Sequence, residues 1–495
     1  MNLIDIKDIV GLVKPAIVLD KFRGGIKALH PLYERFSANP QRLVLRGVLF
    51  CFIVIGAFIV RNSDSRPSIG WMRVFDLSQF AHISLLELLN FYRNLRIPIP
   101  PVIGLSEILS IRFAGSTALV TTYAYRASLV ACYLFVIILA NTSVKRLFLS
   151  FFLSIFFLYV TVIIHRGGPQ GYDIFLPLFF LLYLVLLKKA VNSSNKNKVS
   201  IWLLPFLSGF FLSMTELSRP FVVYIIPLFI VFAYFRFKKC CLKKQFIVFV
   251  IPIILFSGTW HCHLFTAHNQ ISFSNHSGFN LARAWLQVPV EWVTKNGWGG
   301  QMASFWIEVP PVELLTEVHN APLYDGGWAN LNTEEHTENS DRLQSAIFKY
   351  WLSNPDDSFF YALNRVDILL SAETNIYDHN PVSRLFGLYK LLVKITSSLM
   401  LVNVGMLLFG SMKKNNRFLL DAIFSKSDHL ILVFTTYCIF ILSIGEGGEE
   451  ARFLISILPL LAVLPVYDIS DINLKNNTFA LKSKKECSIE VVKTV

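Results

Sequence analysis

Charged residues are scarce in this chain, and this scarcity is the first guide to its class. Only 16% of its 495 residues are charged, whereas 54% are hydrophobic and 44 are Phe. An average soluble domain carries roughly 25% charged residues. The composition therefore argues against an ordinary soluble protein, and we expect a chain that is solvated largely by lipid.

Cysteine and the common nucleotide-binding motifs are also sparse or absent. The seven Cys residues are scattered and form no Cys-x-x-Cys pair, so neither a disulfide framework nor a zinc site is predicted. No P-loop, Gly-x-Ser-x-Gly or Gly-x-Gly-x-x-Gly pattern occurs in a usable context. No internal repeat is visible, which argues against transporters that are built from repeated halves.

The net charge of +13 does not predict a nucleic-acid partner. Lys and Arg residues lie in short clusters between apolar runs rather than along one basic face. Each connection that we assign to the cytoplasm carries such a cluster, as at Lys145–Arg146 and Lys188–Lys189, in agreement with the positive-inside rule.

Ten apolar runs approach the length of about 20 residues that a helix needs to cross a bilayer. They lie near 43–60, 118–140, 147–165, 174–188, 201–218, 220–236, 246–266, 386–411, 429–445 and 453–467. The first begins too deep in the chain for a cleavable signal peptide. We predict an all-α polytopic membrane protein with about 10 transmembrane helices.

The basic clusters place both termini in the cytoplasm. Segment 1–42 is then an amphipathic segment on the inner leaflet, 43–266 holds helices 1–7, 386–467 holds helices 8–10, and 468–495 is a cytoplasmic tail. We expect the bacterial inner membrane, since no eukaryotic retention signal is visible. A eukaryotic origin would turn the same outer face toward the ER lumen.

Two extracytoplasmic loops remain, at 61–117 and 267–385. In the first, a helix-like stretch from Leu77 to Tyr92 precedes a stiff turn at Ile97–Pro101, and a second amphipathic stretch extends to Phe113. We expect these to be two helices on the membrane surface. The second loop is predicted to be a small cap with short helices such as 340–353.

Charged residues within or beside membrane helices are candidates for function, because a charge near a helix centre costs about 2.5–3.5 kcal/mol on insertion scales. In the predicted topology most of them lie at the outer ends of helices. They are Arg126, His165, Arg166, Asp173, Glu216, Arg219, Glu446, Glu449, Glu450 and Arg452. This asymmetry indicates binding or chemistry at the outer face.

Purely structural roles are open for several of them. Arg126 can snorkel or pair with a neighbouring carboxylate, and Asp173 can cap a helix. Arg452 can form a local ion pair with Glu449 and Glu450.

The stretch from Trp260 to His263, with His268, invites a metal interpretation. Two His residues at i and i+2 point to different sides of a helix, and no carboxylate keeps ligand spacing. We therefore predict no metal site and no cofactor.

Taken in order, these residues resemble the GT-C superfamily of glycosyltransferases that use polyprenyl-phosphate sugars, as in protein mannosyltransferases and aminoarabinose transferases. The resemblance covers about 44–467. It rests on Pro100–Pro101, Phe113–Ser116 with Arg126 downstream, Gly171–Asp173, Met214–Pro220, Trp260 and Glu449–Phe453. Many members have Lys where this chain has Glu216.

The resemblance implies a catalytic acidic residue in the first outer loop. Many members carry adjacent Asp-Glu there, whereas this chain offers Asp76 and Asp64 as separate candidates. Asp76 is preferred because it immediately precedes the predicted surface helix. The carboxylate would take the acceptor's proton, as a general base.

The implied substrates are a polyprenyl-phosphate sugar donor and a glycan, lipid or protein acceptor. Arg126, Arg219 and Arg452 would hold the leaving phosphate, Asp173 would position the acceptor, and Glu449 and Glu450 would belong to the substrate-binding motif.

Two other classes of protein are alternatives. A polysaccharide polymerase or ligase also has many spans and one large outer loop, but it does not account for the Pro-Pro loop and the Glu-Glu-Ala-Arg motif. A transporter of lipid-linked glycans would place ionisable residues near helix midpoints.

Overall fold

The computed structural model describes the helical body of the chain. The described residues are 40–61, scattered positions between 84 and 104, 117–164 except 142, 171–192, 198–270 except 241, 278, 281, 334–371, 383–412, 427–445 and 450–463. Within these ranges the chain is almost entirely helical, and no strand occurs among them. The all-α character that the sequence predicts is confirmed for this part of the chain.

The described part contains thirteen α-helices, which we number α1 to α13. They are α1 Pro40–Arg61, α2 Thr117–Leu139, α3 Val144–Ile164, α4 Phe175–Asn192, α5 Lys198–Glu216, α6 Ile226–Lys239, α7 Lys243–Ile253, α8 Thr259–His268, α9 Glu334–Ser353, α10 Pro355–Ser371, α11 Ser383–Met412, α12 Ser427–Gly445 and α13 Glu450–Val463. Short 3₁₀ turns precede α4 at Gly171–Ile174 and α6 at Pro220–Tyr224, and a π turn at Ile254–Gly258 joins α7 to α8.

Helices occur at all ten apolar runs of the sequence, but not all have the length and hydropathy of a membrane span. Five described helices are long and apolar enough to cross a bilayer. They are Leu43–Arg61, Val144–Val162, Val199–Glu216, Lys243–His268 and Gly387–Gly405, and three shorter apolar helices accompany them. The count of about ten crossings therefore stays a prediction.

The core of the bundle is aromatic. Phe180 on α4, Phe229 on α6 and Phe434 on α12 meet with ring centroids 4.0 to 5.3 Å apart, and all three are fully buried. Large apolar side chains such as Phe50 and Phe58 on α1 remain exposed, at 69% and 68%. An apolar exterior of this kind is the surface expected against lipid.

Helix α5 packs closely against α7 at a glycine. A β-carbon at Gly209 would lie only 1.9 Å from the Phe249 carbonyl oxygen, so no other residue fits between the two backbones. The close approach places the C-terminal end of α5 beside the continuous rod of α7, the π turn and α8. Pro252, which cannot donate a backbone hydrogen bond, lies two residues before the start of the π turn.

Two contacts of α13 define two ends of the bundle. At one end Nη2 of Arg146, near the start of α3, donates to the carbonyl oxygen of Val463 at 3.3 Å. At the other, Oγ of Ser456 donates to the carbonyl oxygen of Asp173 at 3.0 Å. We call these the Arg146 end and the Asp173 end.

Residues 334–371 of the predicted second outer loop form α9 and α10. Helix α10 packs against α11, α12 and α13. Its buried Arg365 donates from Nε to the carbonyl oxygen of Ser443 at 3.3 Å, close to the C-terminus of α12. The C-terminal end of α12 is therefore held by a helix that belongs to the predicted second outer loop.

Candidate functional site

The turn after α5 is built by local hydrogen bonds. The Leu217 amide donates to the carbonyl oxygen of Ser213 at 2.8 Å, and the Arg219 amide donates to that of Glu216 at 3.2 Å. Arg219 is extended, with φ −150° and ψ 130°, as expected for a residue that precedes proline. Pro220 then begins the 3₁₀ turn, so the chain reverses directly after Arg219.

Asp173 and Arg219 form an ion pair at the Asp173 end. The contact joins Nη2 of Arg219 to Oδ1 of Asp173. The aspartate side chain is fully buried, whereas the arginine side chain retains 12% exposure. A carboxylate removed from water in this way requires a cationic or hydrogen-bonding partner. The two residues come from different turns, and the pair ties the start of α4 to the start of α6.

A second acid–base pair involves the same turn after α5. Nε2 of His261 on α8 is 2.6 Å from Oε1 of Glu216, the last residue of α5. The glutamate side chain is 1% exposed and the histidine side chain 20%. Oε2 of Glu216 is also buried and has no hydrogen-bond partner among the described residues.

The two pairs share one arrangement. In each, an acidic side chain is buried within the bundle, and its basic partner lies closer to the surface. A buried carboxylate orients the basic group and stabilises positive charge on it. The geometry presents basic groups outward at one end of an apolar bundle, which is the arrangement needed to bind an anion at the edge of a membrane.

Described positions of the predicted first outer loop contact this end of the bundle. The Val102 amide donates to the carbonyl oxygen of Leu217 at 3.4 Å. Nε of Arg93 donates to Nδ1 of His263 at 3.1 Å, and Nε2 of His263 lies 2.9 Å from the carbonyl oxygen of Arg93. This reciprocal pattern fits a neutral His263 with its proton on Nε2.

The same loop contains a helix capping box at Ser84 and Glu87. The backbone amide and the hydroxyl of Ser84 each donate to Oε2 of Glu87 at 2.7 Å, and the Glu87 amide donates back to Oγ of Ser84 at 3.2 Å. The hydrogen bond from the Ser84 hydroxyl, followed by that from its amide, lowers the pKa of Glu87. Among the described positions, 86 and 87 are helical, as this capping box predicts.

The other predicted site residues are placed only in part. Arg126 lies half-buried in the first half of α2, a helix that packs against the 3₁₀ turn carrying Asp173. Arg452 and Glu450 lie in the first turn of α13, and Arg452 precedes Ser456 by one helical turn. The side chains of Glu450 and Arg452, and the whole of Glu449, Asp64 and Asp76, are outside the described part of the chain.

Sequence reasoning singled out Asp173 and Arg219 but not the pair of Glu216 with His261. From the sequence, Glu216 is a charged candidate at the outer end of a helix and His261 is only a possible metal ligand, and the two residues are not connected. The sequence signal that could have indicated this pair is Glu216 itself, because an acidic residue at the end of an apolar run needs a partner when it is buried. Within the described ranges, no group of three or more His, Cys, Asp and Glu side chains is placed to hold a metal ion.

In the part of the chain that the structure describes, fold and site together define a helical bundle with five helices long and apolar enough to cross a membrane, and with two acid–base pairs whose carboxylates are buried. Comparison with protein-family models, curated protein sequences and solved structures gives no match.

Proposed function

We propose that this protein is an integral membrane glycosyltransferase that moves a sugar from a polyprenyl-phosphate donor to an acceptor at the Asp173 end of the bundle. The observation that carries the proposal is the buried ion pair of Asp173 with Arg219, beside the pair of Glu216 with His261. The order of sequence motifs that resembles the GT-C superfamily supports the same conclusion.

A lipid-linked donor suits the position of the site. Its isoprenoid tail stays among the acyl chains along the apolar exterior of the bundle, and its charged head lies where the helices end. Arg219 provides a guanidinium that a buried carboxylate already orients. A guanidinium binds phosphate oxygens with paired, charge-assisted hydrogen bonds. We assign Arg126 and Arg452 to the same task.

The reaction is a direct displacement at the anomeric carbon. The acceptor oxygen or nitrogen forms the new bond to that carbon while the bond from the carbon to the phosphate oxygen breaks, so that polyprenyl phosphate leaves. The acceptor's proton passes to a carboxylate, for which Asp76 is our first candidate and Asp64 our second. General-base help of this kind contributes typically 10²- to 10⁴-fold.

Fixed positive charge stabilises the leaving phosphate. As the bond from carbon to oxygen breaks, negative charge grows on the phosphate, and a cation that is already in place responds without reorganisation. Asp173 keeps Arg219 in that place and, in this proposal, also positions the acceptor. Glu449 and Glu450 belong to the same substrate-binding motif as Arg452.

Lysine and arginine at the Arg146 end favour a cytoplasmic location for that end, and hence an active site that faces the periplasm of a bacterial cell. The polymerase or ligase reaction and the transport of lipid-linked glycans remain the alternatives. Both alternatives differ from the proposed reaction in their products, because neither releases polyprenyl phosphate from a polyprenyl-phosphate monosaccharide.

The test is sugar transfer by the purified full-length protein from synthetic polyprenyl-phosphate donors that carry labelled sugar. We expect wild type to release polyprenyl phosphate and to label the acceptor extract. Asp76→Asn and Arg452→Ala should each lose at least about 100-fold in rate. If no donor turns over in the presence of acceptor extract, the proposal is wrong and the two alternatives gain support.

A further inference from the structure

His261 is the one basic group of the candidate site that becomes a cation only by taking up a proton. Its partner Glu216 is 1% exposed, and the histidine itself is 20% exposed. The ring therefore lies between a buried carboxylate and the surface of the bundle. This is the same position that Arg219 holds in front of Asp173.

The two pairs are joined through one turn of backbone. The Arg219 amide donates to the carbonyl oxygen of Glu216 at 3.2 Å, so the guanidinium and the partner of the imidazole belong to neighbouring positions of the same reversal. Helix α8 brings His261 to this reversal from a separate part of the chain. The contact with Glu216 thereby brings a second basic group to the turn that carries Arg219.

We propose that His261 and Arg219 together form the binding site for the phosphate of a polyprenyl phosphate, and that Glu216 stabilises His261 as an imidazolium ion. The choice of a lipid phosphate rests on the proposed function. The site itself rests on the two pairs. Both basic groups donate N–H hydrogen bonds, and phosphate oxygens accept them.

The sum of charges shows why the proton on His261 matters. With a neutral imidazole, two carboxylates face one guanidinium, and the four side chains carry a net charge of −1. Such a group repels a phosphate. Protonation of His261 brings the sum to zero and leaves both cations on the side nearer to the surface, where an anion can approach.

Other charged or titratable side chains at this end limit the interpretation of pH effects. In the described part of the chain they include Glu216, Asp173, Arg219, His263, His268, Arg93 and Arg126. His263 is already engaged by Arg93 through both ring nitrogens. It is therefore the matched histidine for comparison, on the same helix and two residues away.

The experiment measures binding of farnesyl phosphate, a short polyprenyl phosphate, to purified full-length protein in detergent by isothermal titration calorimetry. Titrations at pH values of roughly 6 and 8 bracket the usual range of histidine. The variants are His261→Ala, His261→Gln, Glu216→Gln, Arg219→Ala, His263→Gln and Cys262→Ser. A thermal unfolding transition measured for each variant checks that the protein is folded. If His261→Ala is not folded, the comparison uses His261→Gln in its place.

We expect wild type to bind more tightly at the lower pH. Loss of one charge-assisted contact should weaken binding at that pH by about tenfold to a hundredfold in the His261 and Arg219 variants. In the His261 variants only the pH dependence from the second ionisation of the phosphate itself should remain. In Glu216→Gln the part that depends on His261 should shift to lower pH, because the neutral amide no longer stabilises the imidazolium. His263→Gln and Cys262→Ser should behave as wild type.

Three results would overturn the inference: no binding by wild type, wild-type affinity in both His261 variants, or an unchanged pH dependence in them. Two further titrations test the source of the phosphate. Equal affinity for inorganic phosphate, or for vesicles of phosphatidylglycerol, would remove the polyprenyl lipid from the proposal. Because no sugar takes part, binding that depends on His261 would stand even if the transfer assay failed.

Discussion

The Asp173 carboxylate is fully buried, and its ion pair with Arg219 can be tested by stability alone. Asp173→Asn removes the negative charge and leaves a guanidinium in a largely dry site, at 12% exposure. Breaking a buried pair by removing one partner costs about 3–5 kcal/mol. We therefore expect a clear fall of the unfolding temperature in detergent, measured by intrinsic fluorescence or calorimetry.

A matched control lies on α10 and α11, where Lys394 pairs with Asp367 at 3.3 Å. These side chains are 47% and 70% exposed. Exposed pairs contribute about 0–1 kcal/mol, so Asp367→Asn should change the unfolding temperature little. The double change Asp173→Leu with Arg219→Met, which leaves no charge without a partner, should recover part of the loss. Equal effects of Asp173→Asn and Asp367→Asn would contradict the assigned burial of the pair.

The residues of the site illustrate the limit of sequence reasoning at this scale. Asp173 and Arg219 were recognisable one at a time, because each is a charge beside an apolar run. The pairing of Asp173 with Arg219, and of Glu216 with His261, was not recognisable from the sequence. Glu216 and His261 are 45 positions apart in the chain, and nothing local in the sequence indicates which of several polar side chains a buried carboxylate will meet.

At the scale of helices the sequence was more informative. Apolar runs and their basic flanks predict where helices lie, because both signals are local, and each of the ten runs coincides with a described helix. The sequence did not show that α5 and α7 touch at Gly209, or that the rod from Lys243 to His268 contains a π turn. Those features depend on the packing of one helix against another.

The close approach of α5 and α7 gives a prediction for the helix pair. In Gly209→Ala, the new β-carbon would lie 1.9 Å from the Phe249 carbonyl oxygen and 2.8 Å from Cγ of Pro252, so the helices must separate. Overpacking of this kind costs typically about 1–3 kcal/mol. We expect a lower unfolding temperature and weaker farnesyl phosphate binding, since Glu216 and His261 lie at the ends of the two helical segments that are pushed apart.

Gly405 on α11 provides the control for this substitution. A β-carbon there meets nothing within 4 Å, and Ala is favoured over Gly in a helix by about 0.5–1 kcal/mol. Gly405→Ala should therefore leave the unfolding temperature unchanged or raise it. A Gly209→Ala protein as stable as Gly405→Ala would show that α5 and α7 are farther apart than described.

For the whole molecule, the distribution of basic residues over the two ends of the bundle predicts its orientation. Helix α3 begins at the Arg146 end with Lys145 and Arg146, and α6 runs from the Asp173 end to Arg236, Lys238 and Lys239 in its last turn. Lysine and arginine near the ends of membrane helices are retained on the cytoplasmic side. The Asp173 end, with its two acid–base pairs, should therefore face the periplasm.

Three variants that each contain a single cysteine test this orientation: two carry an introduced cysteine in a protein without its seven native ones, and the third keeps only one native cysteine. Asn332→Cys lies in the predicted second outer loop, Asn195→Cys in the lysine-rich connection after α4, and a retained native Cys487 in the predicted tail. In intact bacterial cells with a permeabilised outer membrane, a membrane-impermeant maleimide should label only the cysteine at 332, because the bilayer shields the other two. All three should react after the inner membrane is lysed. Labelling at 195 or 487 in intact cells would place the basic end outside, and the candidate site would then face the cytoplasm, where a donor presented at the outer leaflet could not reach it.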